Sequence, residues 1–126
     1  MSRPRVLVVE DEYLVAMLVE EMLDGLGYDV AQVAATLDAA IDAATHASFD
    51  IAILDINLNG TESVPIADLL AARNIPFIFA TGYGPAGLDS RFAEVPTLQK
   101  PFYEEDLKRT LVTMLGPNGG APGAGP

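Results

Sequence analysis

Five short runs rich in β-branched and aromatic residues alternate along this chain with segments whose apolar residues recur at helical spacing. The runs are Arg5 to Val9, Tyr28 to Ala34, Ile51 to Leu54, Pro76 to Ala80 and Val95 to Gln99. Strands that are apolar on both faces need cover on both faces, and intervening helices supply it when the strands run parallel. The alternation therefore predicts a doubly wound, five-stranded parallel sheet with helices on both faces. On such sheets ligands bind beyond the C-terminal ends of the strands, where the strand order reverses.

The helical segments are equally legible. Leu14 to Leu26 carries Leu14, Leu18 and Met22, with Val15 and Val19 alongside, at helical spacing, and Gly27 stands where a helix ends. Thr36 is placed to cap a helix from Leu37 to about Ala44. A loop is expected from Ile56 to Thr61, then a helix through Arg73 capped by Ser63, with Pro65 in its first turn. Gly82 to Glu94 is broken by glycine and proline, so the fourth helix is expected to be short or irregular. The last helix spans Glu104 to Leu115, with three acidic residues facing the positive end of its dipole.

Residues 1–115 read as one domain, and 116–126, with five glycines and three prolines, as a flexible tail. No output domain is expected after it. The chain holds no cysteine, which excludes disulfides and thiolate metal sites. The N-terminal apolar run is interrupted at Glu10, so no signal peptide or spanning segment is expected and a cytoplasmic location is. A net charge of −11 disfavours direct contact with nucleic acid or an anionic membrane.

The strand ends carry the chemistry. The first ends in Glu10 and Asp11, the third in Asp55, the fourth in Thr81 and the fifth in Lys100. Each has a plain structural reading by itself: Glu10 and Asp11 as a helix cap, Asp55 and Thr81 as turn residues, Lys100 as a solvated cation. Gathered in one crevice, three carboxylates would repel and favour a hard cation, for which oxygen donors and magnesium are the natural match. One carboxylate can then serve as nucleophile toward phosphorus, with Lys100 pairing phosphoryl oxygens and Thr81 donating a hydrogen bond to another.

Four short motifs in order, Val-Leu-Val-Val-Glu-Asp-Glu (6–12), Ile-Leu-Asp-Ile-Asn-Leu (53–58), Ala-Thr-Gly (80–82) and Lys-Pro-Phe (100–102), resemble the receiver domains of two-component response regulators. The resemblance covers about Val6 to Leu115. It implies a flavodoxin-like fold with strand order 2-1-3-4-5. It also implies a phosphoprotein of a two-component or phosphorelay system, with Asp55 the phosphoacceptor and Mg2+ held by Asp11 directly, Glu10 through water, Asp55 and the backbone carbonyl of Asn57. Thr81 and Lys100 would contact the phosphoryl group, and the Lys100–Pro101 bond would be cis. The implied partners are a sensor histidine kinase or phosphotransfer protein and a downstream protein target. No enzymatic activity is implied beyond the protein's own phosphorylation and dephosphorylation.

The run Pro76 to Tyr83 is similar to the Pro-Phe-x-Phe-Ala-Thr-Gly-Tyr signature of a receiver subgroup common in alphaproteobacteria, often single-domain. Thr97 stands where many receivers carry a switch aromatic, and Tyr83 is the candidate substitute, paired with Thr81 as the switch. Asn59 stands where proline is common. Three rivals are weighed. An aspartyl-nucleophile phosphatase would carry a second Asp where Asn57 stands. A pure interaction module would not need the whole set of site residues. A flavin protein would carry a phosphate loop where Glu10 and Asp11 stand.

Overall fold

The computed structural model describes residues 3–58, 61–82, 92 and 94–116. Three strands are buried along nearly their whole length: β1 (Arg5–Val9), β3 (Ile51–Asp55) and β6 (Phe77–Thr81). They form the middle of a five-stranded parallel sheet, with β2 (Asp29–Ala34) and β7 (Thr97–Gln99) at its edges. The order β2-β1-β3-β6-β7 is the expected 2-1-3-4-5 arrangement, with two strands of a separate ribbon set aside. The fold is flavodoxin-like.

Alternate residues of the strands feed two cores. Val6, Val8, Ile53, Ile78 and Leu98 pack under α1 (Tyr13–Leu26) and α4 (Glu104–Leu115) through Val19, Leu23, Leu107 and Leu111. Leu7, Val9, Leu54, Phe77 and Phe79 pack under α2 (Leu37–His46) and α3 (Val64–Ala72) through Ala40, Ala44, Ile66 and Leu70. Side chains of successive strand residues leave opposite faces, so one sheet supports both layers.

Local signals set most boundaries. Gly27 takes the left-handed conformation that ends α1, at φ 95°. The Thr36 hydroxyl accepts a hydrogen bond from Ala39 N at 3.1 Å and caps α2. Helix α4 begins and ends where its sequence places it, and the Asp106 carboxylate accepts from Tyr103 N at 3.3 Å.

Two expectations are corrected. Ser63 precedes α3 but does not cap it; its hydroxyl donates to the Ile56 carbonyl at 3.2 Å instead. The segment after Asp55 is not simply a loop. Strands β4 (Asn57–Leu58) and β5 (Thr61–Glu62) pair antiparallel, Leu58 opposite Thr61 and Asn57 opposite Glu62. Only Asn59 and Gly60 separate the paired residues, and Asn-Gly is the residue pair that a two-residue hairpin favours. The expected fourth helix, apart from Gly82, Phe92 and Glu94, and Tyr83 and the Gly/Pro tail beyond Gly116, lie outside the described residues.

Candidate functional site

The sheet reverses its winding between β1 and β3, and the register brings their ends together. Val9 lies opposite Leu54, so Glu10 and Asp55 emerge side by side. Asp55 lies opposite Ala80, and Thr81 opposite Gln99, which brings Thr81 and Lys100 to the same edge. Backbone bonds fix these tips: Glu10 N donates to Ala34 O at 3.0 Å, Ile56 N to Ala80 O at 3.1 Å and Lys100 N to Thr81 O at 2.7 Å.

Glu10, Asp55 and Thr81 are buried and Asp11 is half-buried. One carboxylate oxygen from each of Glu10, Asp11 and Asp55 lies within 4.8 Å of the others. Lys100 Nζ reaches Glu10 Oε1 at 2.5 Å and Asp55 Oδ2 at 3.2 Å. The other Asp55 oxygen accepts from Asn57 N at 3.2 Å, and Glu10 Oε2 accepts from Glu12 N at 3.1 Å. The Lys100–Pro101 peptide bond is cis.

Burial dominates the electrostatics. It pushes the Asp55 carboxyl up from 3.8 to about 7, against the lowering effect of Lys100 and with a further rise from Glu10. Burial alone would lower Lys100; the hydrogen bond to Glu10 and the charges of Asp55 and Glu10 outweigh it and hold the ammonium above its ordinary value. The pocket thus carries three carboxylates against one fixed cation.

That donor set fits a hard divalent ion. It offers oxygen only, and octahedral magnesium at about 2.1 Å from its ligands needs oxygens about 3 Å apart when adjacent and about 4.2 Å when opposite. Asp11 and Asp55 are placed to supply such oxygens directly, and Glu10 to hold a water on the ion. Asn57 is exposed at the start of β4, just after the tip of β3.

All the site residues within the described chain converge: Glu10, Asp11, Asp55, Asn57, Thr81 and Lys100. Tyr83, the proposed switch aromatic, lies outside it. His46 ends α2, exposed, with Nδ1 at 3.2 Å from Asp42, and is not part of the cluster. The Glu10–Lys100 ion pair is not legible in the sequence, because nothing in linear order couples those positions. Phe92 was also missed. It is buried, with its ring against Phe77 and Phe79.

Comparison with known proteins gives the family. The model for the response regulator receiver domain matches residues 6–112. The chain belongs to this family. The receiver domain is 37% identical over 114 residues to the phyllosphere-induced regulator PhyR of Methylorubrum extorquens, a match spanning 87% of this chain and 43% of PhyR. It therefore spans less than half the length of that relative. The solution structure of SdrG from Sphingomonas melonis Fr1 superposes with a TM-score of 0.81 at 42% identity, covering 91% of this chain and 99% of that one. The receiver domain of the sensor histidine kinase PA1611 from Pseudomonas aeruginosa PAO1, described with a magnesium ion coordinated in its active-site cleft, has a TM-score of 0.77 at 25% identity, covering 91% and 99%. Among the described residues, no helix of this receiver domain is long and apolar enough to cross a membrane.

Proposed function

We propose that this receiver domain accepts a phosphoryl group on Asp55 from the phosphohistidine of a sensor histidine kinase or phosphotransfer protein. The carrying observation is the Asp55 carboxylate, buried at the tip of β3, with Lys100 on one oxygen and a carboxylate oxygen of each of Glu10 and Asp11 within 4.8 Å.

An Asp55 oxygen attacks phosphorus as the phosphorus–nitrogen bond to the donor imidazole breaks, and the imidazole leaves with the electron pair. Asn57 N holds Asp55 Oδ1 and so fixes the rotation of the carboxylate before attack. Lys100, already between Asp55 and Glu10, is within a short swing of oxygens on a group attached to Asp55. Thr81, at the neighbouring strand tip, is placed to donate to another of those oxygens. Asp11 directly, Glu10 through water, Asp55 and the Asn57 carbonyl would hold magnesium, which neutralises charge on the phosphoryl oxygens.

The likeness to PhyR and SdrG supports placing the chain in the subgroup marked by Pro76 to Tyr83, and SdrG, matched over 99% of its length, supports a stand-alone regulator, which would act in the cytoplasm. Output is by partner binding or by passing the phosphoryl group on, with Thr81 and Tyr83 as the switch. It makes no direct contact with nucleic acid or membrane, and it is not an enzyme toward other substrates. Exposed Tyr13, Leu14 and Leu18 on α1, with Tyr103, give a protein donor apolar contact area next to the site.

Acetyl phosphate with magnesium, followed by intact mass, tests the reading. The expected result is an acid-labile gain of one phosphoryl group, absent with chelator and absent in Asp55→Asn. A gain that persists in Asp55→Asn would overturn it.

A further inference from the structure

The position three residues before Lys100 is threonine, yet the sheet face it belongs to is not short of an aromatic. Thr97 lies opposite Phe79, half-buried, and its hydroxyl donates to the Val95 carbonyl at 3.4 Å. Phe77, Phe79 and Thr81 alternate along β6, so their side chains leave the same face. Phe92, in the connection between β6 and β7, is buried on that face. Its ring stands edge-on to Phe79 at 5.7 Å and 68°, and to Phe77 at 6.0 Å and 75°. Phe77 and Phe79 are themselves edge-on at 5.6 Å and 79°, which closes a triangle of rings.

Phe92 is tied to the other side as well. Its carbonyl accepts from Val95 N at 3.0 Å, and Val95 packs against the same cluster. Two residues on, β7 begins, and it ends at Gln99, directly before Lys100. One ring thus bears on the strand that carries Thr81, while its backbone hydrogen bond to Val95 leads toward the strand that precedes Lys100. Close-packed rings do not deform smoothly; they hold a slot or leave it.

We infer that Phe92 is a positioning residue that, alongside the proposed Thr81–Tyr83 switch, couples β6 at Thr81 to β7 when Asp55 is phosphorylated. The inference rests on Asp55 being the phosphoacceptor. It predicts that the surroundings of residue 92 change on phosphorylation, and that the change passes through Thr81.

The full chain contains no tryptophan, so Phe92→Trp reports alone. With acetyl phosphate and magnesium, intact mass gives phosphoryl occupancy while emission reports residue 92. The expected result is a shift of the emission maximum that tracks occupancy, and loss of that shift in Thr81→Ala/Phe92→Trp compared at equal occupancy. As a second measurement that leaves the ring in place, the five phenylalanines can be replaced by 4-fluorophenylalanine. The Phe92 line, identified by its absence in Phe92→Leu, is then expected to move on phosphorylation. Full occupancy with an unmoved line, or a shift that survives Thr81→Ala, overturns the role of Phe92 and leaves the Asp55 reading standing. No gain in mass overturns both.

Discussion

Lys100 Nζ stands 2.5 Å from Glu10 Oε1, closer than its 3.2 Å approach to Asp55 Oδ2. The two proposed roles, a lysine for phosphate and a glutamate for metal, therefore begin in one ion pair. Lys100 must loosen from Glu10 to follow a phosphoryl group. Glu10→Gln keeps the shape and a hydrogen-bond acceptor but removes one charge. It is expected to weaken magnesium binding by about tenfold, the usual scale for an outer-sphere partner. Isothermal titration of the purified protein checks this, and unchanged affinity would show that Glu10 serves Lys100 alone.

Asp55 gives a pH signature. Its carboxyl rises from 3.8 to about 7 on folding. Between those values the folded chain holds the extra proton, so the metal-free protein loses stability as pH rises through the window, and the penalty is complete above it. Asp55→Asn removes the penalty. In chelator, Asp55→Asn is expected to be more stable than the parent by a few kcal/mol at about pH 8, with the advantage shrinking toward about pH 5. Urea unfolding at both pH values measures it, and a pH-independent difference would contradict the buried-charge explanation.

The same proton competes with the metal. Magnesium requires the Asp55 carboxylate, so its affinity is expected to fall as pH drops below about 7, by up to tenfold per pH unit. Above that pH, magnesium is expected to raise the unfolding midpoint, and chelator to reverse the gain. Asp11→Asn is expected to remove most of the effect. Thermal melts across pH, with and without magnesium, provide the test.

Lys100 is the site's only fixed cation among the described residues, and it holds the Asp55 carboxyl below the level burial would otherwise impose. Lys100→Met is expected to move the pH midpoint of magnesium binding upward and to slow phosphorylation by acetyl phosphate by more than tenfold, the scale of losing one positioned charge. The sign separates this role from a packing role: a midpoint that stays fixed or moves down would refute it.

Away from the site, Gly25 lies within α1, where an added Cβ would stand 3.0 Å from Glu104 Oε1. That oxygen ends an exposed, flexible side chain and can move aside. Gly25→Ala is expected to stabilise the fold by about 0.5–1 kcal/mol through helix propensity. Denaturant unfolding measures it, and destabilisation would mean that Glu104 cannot yield.

How much of this was legible beforehand depends on the range of the cause. Short-range signals located all five main-sheet strands and the four helices of the described chain, because burial on both strand faces and helical spacing are written locally. The Asn59-Gly60 pair also carried a local signal for the β4–β5 hairpin, one that was passed over in favour of a loop. The gathering of Glu10, Asp11, Asp55, Thr81 and Lys100 was legible from their places at strand ends. The Lys100–Glu10 ion pair and the Phe92 ring were not, since both depend on contacts between elements distant in sequence. Ser63 looked like a helix cap because its spacing was right; the carbonyl of Ile56 took its hydroxyl instead.

The alignment of Val9 with Leu54 and of Asp55 with Ala80 comes from ladder hydrogen bonds, which any residue except proline can make. The tool is held by its handle, not by its blade. Outward-facing positions on the helices can therefore be rewritten to suit a different kinase or target without moving the reactive atoms, and one chemistry can be reissued with many addresses.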